Sequence, residues 1–255
     1  MTATLELIAV PGLPMVQVGD DLAVMVSGAL AAAGVELRDR DVVVFAQKVV
    51  SKSEGRSIDL ATVVPSARAL EVAAEVRKDP RLVELVLRES KRIVRKIPDV
   101  LIVEHHLGLI MANAGIDQSN VADPSAGERA LLLPVDPDAS AERLRGDLKA
   151  RTGREVAVVI NDSFGRPWRQ GTVGVALGCA GLPALLDLRG TPDLFGRTLK
   201  VTVIAYADEI AAAASLLMGQ ATEGRPVVIV RGLEATGVST PATSIVRDAR
   251  EDLFQ

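Results

Sequence analysis

Two acidic positions stand where apolar runs give way to polar ones. They are Asp117, in Asn113-Ala114-Gly115-Ile116-Asp117-Gln118-Ser119-Asn120, and Asp162, in Ile160-Asn161-Asp162-Ser163. Carboxylates at the mouths of adjacent strands, with a hydroxyl and amides beside them, supply hard oxygen ligands that suit Mg²⁺ or Mn²⁺ rather than zinc. The ordinary alternative is a turn or cap role, because Asp and Asn collect wherever strands end. Arg166 and Arg169 follow in Phe164-Gly165-Arg166-Pro167-Trp168-Arg169-Gln170-Gly171. Glycines there permit close backbone approach, and guanidinium groups clamp carboxylate or phosphate; a solvated basic loop is the competing account. Trp168 suits the rim of a flat-ligand site and ordinary packing equally. Lys48 and Lys52 offer point charges to a phosphate, or simply face solvent. Met218 to Pro226 closes an apolar helix with a flexible polar loop, fit to wrap a nucleotide or to join two elements.

The elements that must position these residues are legible in outline. Leu5 to Val10 reads as a strand, and Pro11-Gly12-Leu13-Pro14 as a loop. Asp20 or Asp21 caps a helix running to about Gly34. Asp41 to Ser51 reads as a buried strand ending in a polar run that carries Lys48 and Lys52. Ser66 to Arg77 and Arg81 to Arg95 have helical spacing. Leu101 to Glu104 and Leu107 to Ala112 read as paired strands around the turn His105-His106. Asp138 to Thr152 is a helix, and Glu155 to Ile160 an apolar strand that stops at Asn161-Asp162-Ser163. A glycine-rich stretch spans 165–181, followed by a strand over 198–206, a helix over 209–218 and a strand over 227–230. Strands and helices mix without regular βαβ alternation. The expected fold is α+β, with mixed or antiparallel sheets and packed helices in one domain, possibly in two lobes. A G-x-x-x-x-G-K-[ST] loop and a strand-borne G-x-G-x-x-G are both missing, so neither a P-loop nor a Rossmann site is expected.

Composition excludes several functions. The chain has 255 residues, 48% apolar and 24% charged, enough for a substantial aliphatic core. Aromatic residues make up 2% and the net charge is -4, which argues against a base-stacking surface or a nucleic-acid partner. One cysteine, Cys179, rules out an internal disulfide and reads as a buried structural thiol. His105 and His106 cannot furnish a zinc site alone. The first basic residue is Arg38 and no apolar run approaches about 20 residues, so a cytoplasmic protein without membrane contact is expected.

Five strings, in one order across nearly the whole chain, together resemble the coenzyme F420:γ-glutamyl ligase family. They are Gly12-Leu13-Pro14, Val50-Ser51-Lys52-Ser53-Glu54-Gly55-Arg56, Asn113 to Asp117, Asn161-Asp162-Ser163, and Ala207-Asp208-Glu209-Ile210-Ala211-Ala212 through Leu216-Leu217-Met218-Gly219. The resemblance implies GTP-dependent addition of L-glutamate to the precursor F420-0, then further γ-linked glutamates, with release of GDP and phosphate. It implies a nucleotide site of Leu13, Pro14, Met15, Val16, Gln47, Lys48, Lys52, Asn120, Met218, Gly219, Gln220, Ala221, Thr222, Glu223, Gly224 and Arg225. Asp117 and Asp162 would bind one Mg²⁺ or Mn²⁺, Ser163 and Gln220 would contact a second, and K⁺ would assist. Lysine and arginine, Arg166 and Arg169 included, would fix the line of phosphoryl transfer. Ser163 stands where archaeal members commonly have threonine and Gln220 where they have glutamate, so the second metal site is the one with less charge. A homodimer and a stand-alone ligase, without the reductase-like domain fused in some bacterial relatives, are also implied. A ligase for another carboxylate acceptor and a nucleotide-sensing module without catalysis are the rival readings.

Overall fold

A continuous apolar run such as Val42 to Ala46 is stable as a strand only when covered on both faces, and that requirement organises the chain. The structure is a computed structural model that describes residues 3–121, 127–234 and 237–252. In chain order its elements are β1 (Glu6–Ala9), α1 (Leu22–Ala32), β2 (Val42–Ala46), α2 (Gln47–Ser53), β3 (Ser57–Asp59), α3 (Ala67–Val76), α4 (Pro80–Arg88), β4 (Ser90–Ile97), β5 (Val100–His105), β6 (Ile110–Ala112), β7 (Arg129–Leu131), α5 (Pro137–Thr152), β8 (Ala157–Arg166), β9 (Arg169–Ala180), β10 (Leu186–Asp187), β11 (Val203–Ile204), α6 (Tyr206–Met218) and β12 (Val227–Arg231).

The principal sheet has the order β1-β12-β2-β8-β9. β2 and β8 run parallel, with Val44 beside Val159, and the other three pairs are antiparallel. Side chains alternate between its faces. Val43, Phe45, Val158 and Ile160 pack with α1 and α5 on one side, and Val42, Val44, Val159 and Val228 pack with α6 on the other. A separate cluster of Val72, Val76, Val83, Leu101 and Val103 joins α3 and α4 to the small sheet β4-β5-β6. The architecture is α+β, as expected, with mixed sheets. No helix among the described residues is long and apolar enough to cross a membrane.

Caps fix the helix starts. Asp21 accepts from Val24 N at 2.9 Å, Ser66 from Ala69 N at 3.2 Å, and Asp136 from Ala139 N at 3.0 Å ahead of Pro137. α5 ends at Gly153 with φ 69, the left-handed cap that glycine adopts freely.

Several boundaries differ from the sequence expectation. The run Asp41 to Ser51 is not one strand: β2 ends at Ala46 and α2 begins at once. Helical spacing there buries Val49, Val50 and Ser51 together and lets Gln47 donate to Ser51 Oγ four residues on, at 2.6 Å. The segment Arg81 to Arg95 is likewise split, because the exposed edge of β5 offers Ser90 to Ile97 a ladder, so α4 stops at Arg88. β8 does not stop at Asn161: it continues to Arg166 because β9, inside the glycine-rich stretch, pairs with it, Asp162 opposite Val175 and Ser163 opposite Gly174. The expected strand over 198–206 shrinks to Val203–Ile204, and α6 starts earlier, at Tyr206. His105 is buried at the end of β5, where its Nδ1 accepts from Leu107 N at 3.0 Å across the hairpin turn.

Candidate active site

A cleft of about 350 Å³ opens where β2 ends at Ala46, beside Asn161 of its parallel neighbour β8. Crevices at this place are where open α/β sheets bind ligands. Four further segments wall it: Leu13 to Val16 after β1, α2, Asn120, and the loop Met218 to Pro226 between α6 and β12. Every residue that the sequence analysis assigned to the nucleotide lines this cleft, as do Asp162 and Ser163.

α2 places Lys48 and Lys52 one turn apart, both directed at the loop after β6. Lys48 Nζ lies 2.7 Å from Asp117 Oδ2 and donates to Ser119 O at 3.2 Å and Ser119 Oγ at 3.0 Å. Lys52 Nζ donates to Asn120 O at 2.8 Å. Burial, and next the charge of Lys48, lower the Lys52 ammonium from its ordinary value. Gln47, the other member of the set on α2, is 2% exposed, and its amide donates to Ser51 Oγ and Leu132 O.

The loop that carries Asp117 is held in costly backbone. Asn113, Ala114 and Asn120 have φ of 50, 54 and 55, left-handed values that asparagine tolerates and that cost Ala114 roughly 1–2 kcal/mol. Asp117 pairs with Leu131 through two backbone hydrogen bonds of 3.0 and 2.8 Å, which anchors the loop. Its Oδ1 accepts from Ser119 N at 2.7 Å and Ser119 Oγ at 2.8 Å. Burial pulls the Asp117 carboxyl upward, but Lys48 and Ser119 outweigh it and the net shift is downward.

Asp162 behaves oppositely. Burial, with the repulsion of Asp117 added and only partly offset by Ser163 N and Lys48, pushes its carboxyl up to about 6. The charge of Asp117 thus acts on Asp162, and Lys48 acts on both. Ser163 Oγ donates to Gln220 Oε1 at 2.8 Å, which joins two residues 57 apart in sequence. Across the cleft mouth Asn120 Nδ2 donates to Ala221 O at 3.1 Å. Gly219, at φ 70 and ψ -175, turns the loop through a region open essentially to glycine alone, and the Glu223 carboxylate folds over it to accept from Ala221 N at 2.9 Å.

Arg166 and Arg169 face each other in register at the far end of the β8–β9 hairpin, outside the cleft lining. Arg166 Nη1 donates to Gly171 O at 3.3 Å, and Trp168 in the turn is 86% exposed. Two contributors escaped the sequence analysis as site residues. Ser119 clamps Asp117, and its signal is the Asp-x-Ser spacing of an Asx turn. Asn161, 5% exposed, lines the cleft and donates to Ser215 Oγ at 3.0 Å, tying β8 to α6.

A divalent ion can be tested against this donor set. Among the described residues no cluster of three or more His, Cys, Asp or Glu has the geometry to hold a metal. Burial leaves the Asp162 carboxylate short of solvation, and the charge of Asp117 adds to the rise. That deficit and the neutral oxygens of Ser163 and Gln220 fit a hard cation whose remaining positions are filled by water or phosphate oxygens, the usual arrangement for Mg²⁺.

The profile of the family described as F420-0:Gamma-glutamyl ligase matches residues 12–232. The chain is 50% identical over 228 residues to a protein of Methanothermobacter thermautotrophicus named coenzyme F420:L-glutamate ligase, covering 89% of each. Proteins of the same name from Methanopyrus kandleri and Archaeoglobus fulgidus are 46% and 44% identical, over 99% and 98% of this chain and 98% and 96% of theirs.

Proposed function

The chain belongs to the F420-0:gamma-glutamyl ligase family, and from that premise we propose that it uses GTP to join L-glutamate to the carboxylate of F420-0, and then adds further γ-linked glutamates. The observation that carries this reading is a single cleft lined by Lys48, Lys52, Asp162, Ser163 and Gln220, with Asp117 ion-paired to Lys48 and its charge felt by Asp162.

A carboxylate does not condense with an amine at neutral pH because its leaving group is too poor, so the acceptor must first be activated. In the proposed first step an acceptor carboxylate oxygen attacks the γ-phosphorus of GTP, the bond to the β-phosphate oxygen breaks, and GDP leaves. The glutamate nitrogen then attacks the acyl carbon of the resulting acyl phosphate, phosphate departs, and the amine loses a proton. Asp117 and Asp162 would hold one divalent ion, with Ser163 and Gln220 toward a second, and K⁺ is a further proposed ligand of the site. Such ions supply positive charge that offsets the charge spreading over the transferred phosphoryl oxygens. Lys48 and Lys52, held on one face of a short helix, orient the same oxygens, and the loop from Met218 to Arg225 covers the nucleotide and excludes water.

The decisive experiment incubates the protein with F420-0, GTP, L-glutamate and Mn²⁺ or Mg²⁺ and weighs the products. A ladder of acceptor masses rising by glutamyl units is expected, with one phosphate released per step. GTP that binds and stays intact would replace this reading with a nucleotide sensor.

The same reading includes a homodimer. Leu194 and Phe195, 99% and 91% exposed at the tip of the excursion between β10 and β11, are large apolar side chains of the type that subunit interfaces cover. Sedimentation at the rate of a single chain would remove the dimer from the proposal.

A further inference from the structure

A second cavity, of about 510 Å³, lies along β9, the outer strand of the principal sheet. Its wall is largely apolar, built from Leu109, Ile110, Phe164, Val175, Ile245 and Val246. Charged residues of both signs, Lys91, Glu104, Asp208, Arg247, Asp248 and Asp252, complete the lining, and an apolar wall with polar groups at its rim suits a drug-sized organic ligand.

Register ties this cavity to the nucleotide cleft. Val175 is the direct partner of Asp162 across the β8–β9 ladder, and Phe164 is two residues beyond Asp162 on β8. Direct partners and alternate residues share a face, so Asp162, Phe164 and Val175 point the same way, with Phe164 about 7 Å along the strand from Asp162.

Two polar groups at the cavity have unused capacity. Asp208, in the first turn of α6, accepts from Ala176 N at 2.9 Å through Oδ1, and its other oxygen has no partner among the described residues. It belongs to the string Ala207-Asp208-Glu209-Ile210, which the nucleotide cleft leaves unused. Arg247 also lines the cavity and makes no ion pair among the described residues, whereas Lys91 is engaged with Glu104 at 3.4 Å.

We infer that this cavity holds the flat heterocyclic end of the acceptor, with its carboxylate arm running along the shared face of β8 to Asp162. The apolar wall takes the ring faces. The pyrimidinedione edge of a deazaflavin carries an N–H between two carbonyls, a donor suited to the unpartnered oxygen of Asp208, and Arg247 pairs with an anionic group on ring or arm. A ring seated here and an arm of several bonds bring the reacting carboxylate to the phosphate end of the cleft. The assignment rests on F420-0 being the acceptor.

The test uses the full chain and three titrations: F420-0, its ring–ribityl fragment without the phospholactyl arm, and GTP. Ile245→Trp fills the cavity and is expected to weaken F420-0 and the fragment by about 10-fold or more, with GTP affinity within about twofold of wild type. Asp208→Asn keeps the volume and turns an acceptor toward the ring into a donor; about 10-fold weaker fragment binding is expected, again with GTP unchanged. Circular dichroism checks that each variant folds, and either variant suffices alone. Wild-type fragment affinity in both variants overturns the inference. So does a lower sedimentation coefficient in Ile245→Trp with acceptor affinity intact, which would give the cavity to a second copy of the chain. If the wild-type protein binds GTP but neither F420-0 nor the fragment, the acceptor named under the proposed function fails instead.

Discussion

Replacing Asp162 with asparagine is expected to lower turnover by roughly 10²–10³-fold at saturating Mn²⁺, the usual loss when one preorganised charge is removed from a transition state. Stability should not fall with it. Burial and Asp117 raise the Asp162 carboxyl to about 6 from 3.8, so the folded metal-free protein holds the charged form poorly. A raised carboxyl contributes stability that is complete below its unfolded value and is lost as pH climbs from about 3.8 through about 6. Asparagine has no such loss, so at pH 7 without metal the variant should melt at or above the wild-type temperature. Asp117→Asn is the less clean probe, because that carboxylate also accepts from Lys48 and twice from Ser119, and its loss would loosen an already strained loop. Wild-type turnover of Asp162→Asn at saturating Mn²⁺ would end the metal assignment, whatever the melting temperature did.

The parts of this fold legible in the sequence are those where local preference and tertiary demand agree. Asp21 and Ser66 announce helix starts, and Val42 to Ala46 and Val227 to Val230 announce buried strands, because caps and apolar runs mean the same thing locally and globally. The misread boundaries are those where a distant partner decides. Nothing local says that Asn161-Asp162-Ser163 continues a strand, since the ladder comes from a glycine-rich segment that lacks strand composition. Nothing local says that Gln47 begins a helix, since β-branched Val49 and Val50 favour the opposite reading. The candidate site shows the same division. Asp117 and Asp162 stand out by residue type, and five strings in order suggest the family. Their meeting depends on β2 and β8 lying parallel while the loops after β1, β6 and α6 fold over the strand ends, and spacing does not encode that.

Gly174 offers the strongest prediction for packing. It carries no left-handed φ, so its role is close approach and not conformational freedom. A Cβ added there would lie 2.1 Å from Ser215 Oγ, 2.6 Å from Ala211 O and 2.7 Å from Asn161 Oδ1. The hydroxyl of Ser215 can rotate away. The Ala211 carbonyl cannot, because it belongs to the backbone of α6, whose apolar side is buried against the sheet by Ile210, Ala211 and Ala214. Gly174→Ala must therefore push β9 off α6, and overpacking of this kind costs roughly 1–3 kcal/mol. The strain also reaches the cleft, since Gly174 is the ladder partner of Ser163, whose hydroxyl meets Gln220, and GTP affinity should fall with stability. Adding Ser215→Ala removes the shortest clash and leaves the backbone one, so the double variant should recover less than half of the loss. Urea unfolding decides it: a lower midpoint with unchanged slope in Gly174→Ala, and little recovery in the double variant, are expected. Full recovery would locate the barrier in the serine hydroxyl, and a wild-type midpoint in the single variant would mean that β9 and α6 do not approach so closely.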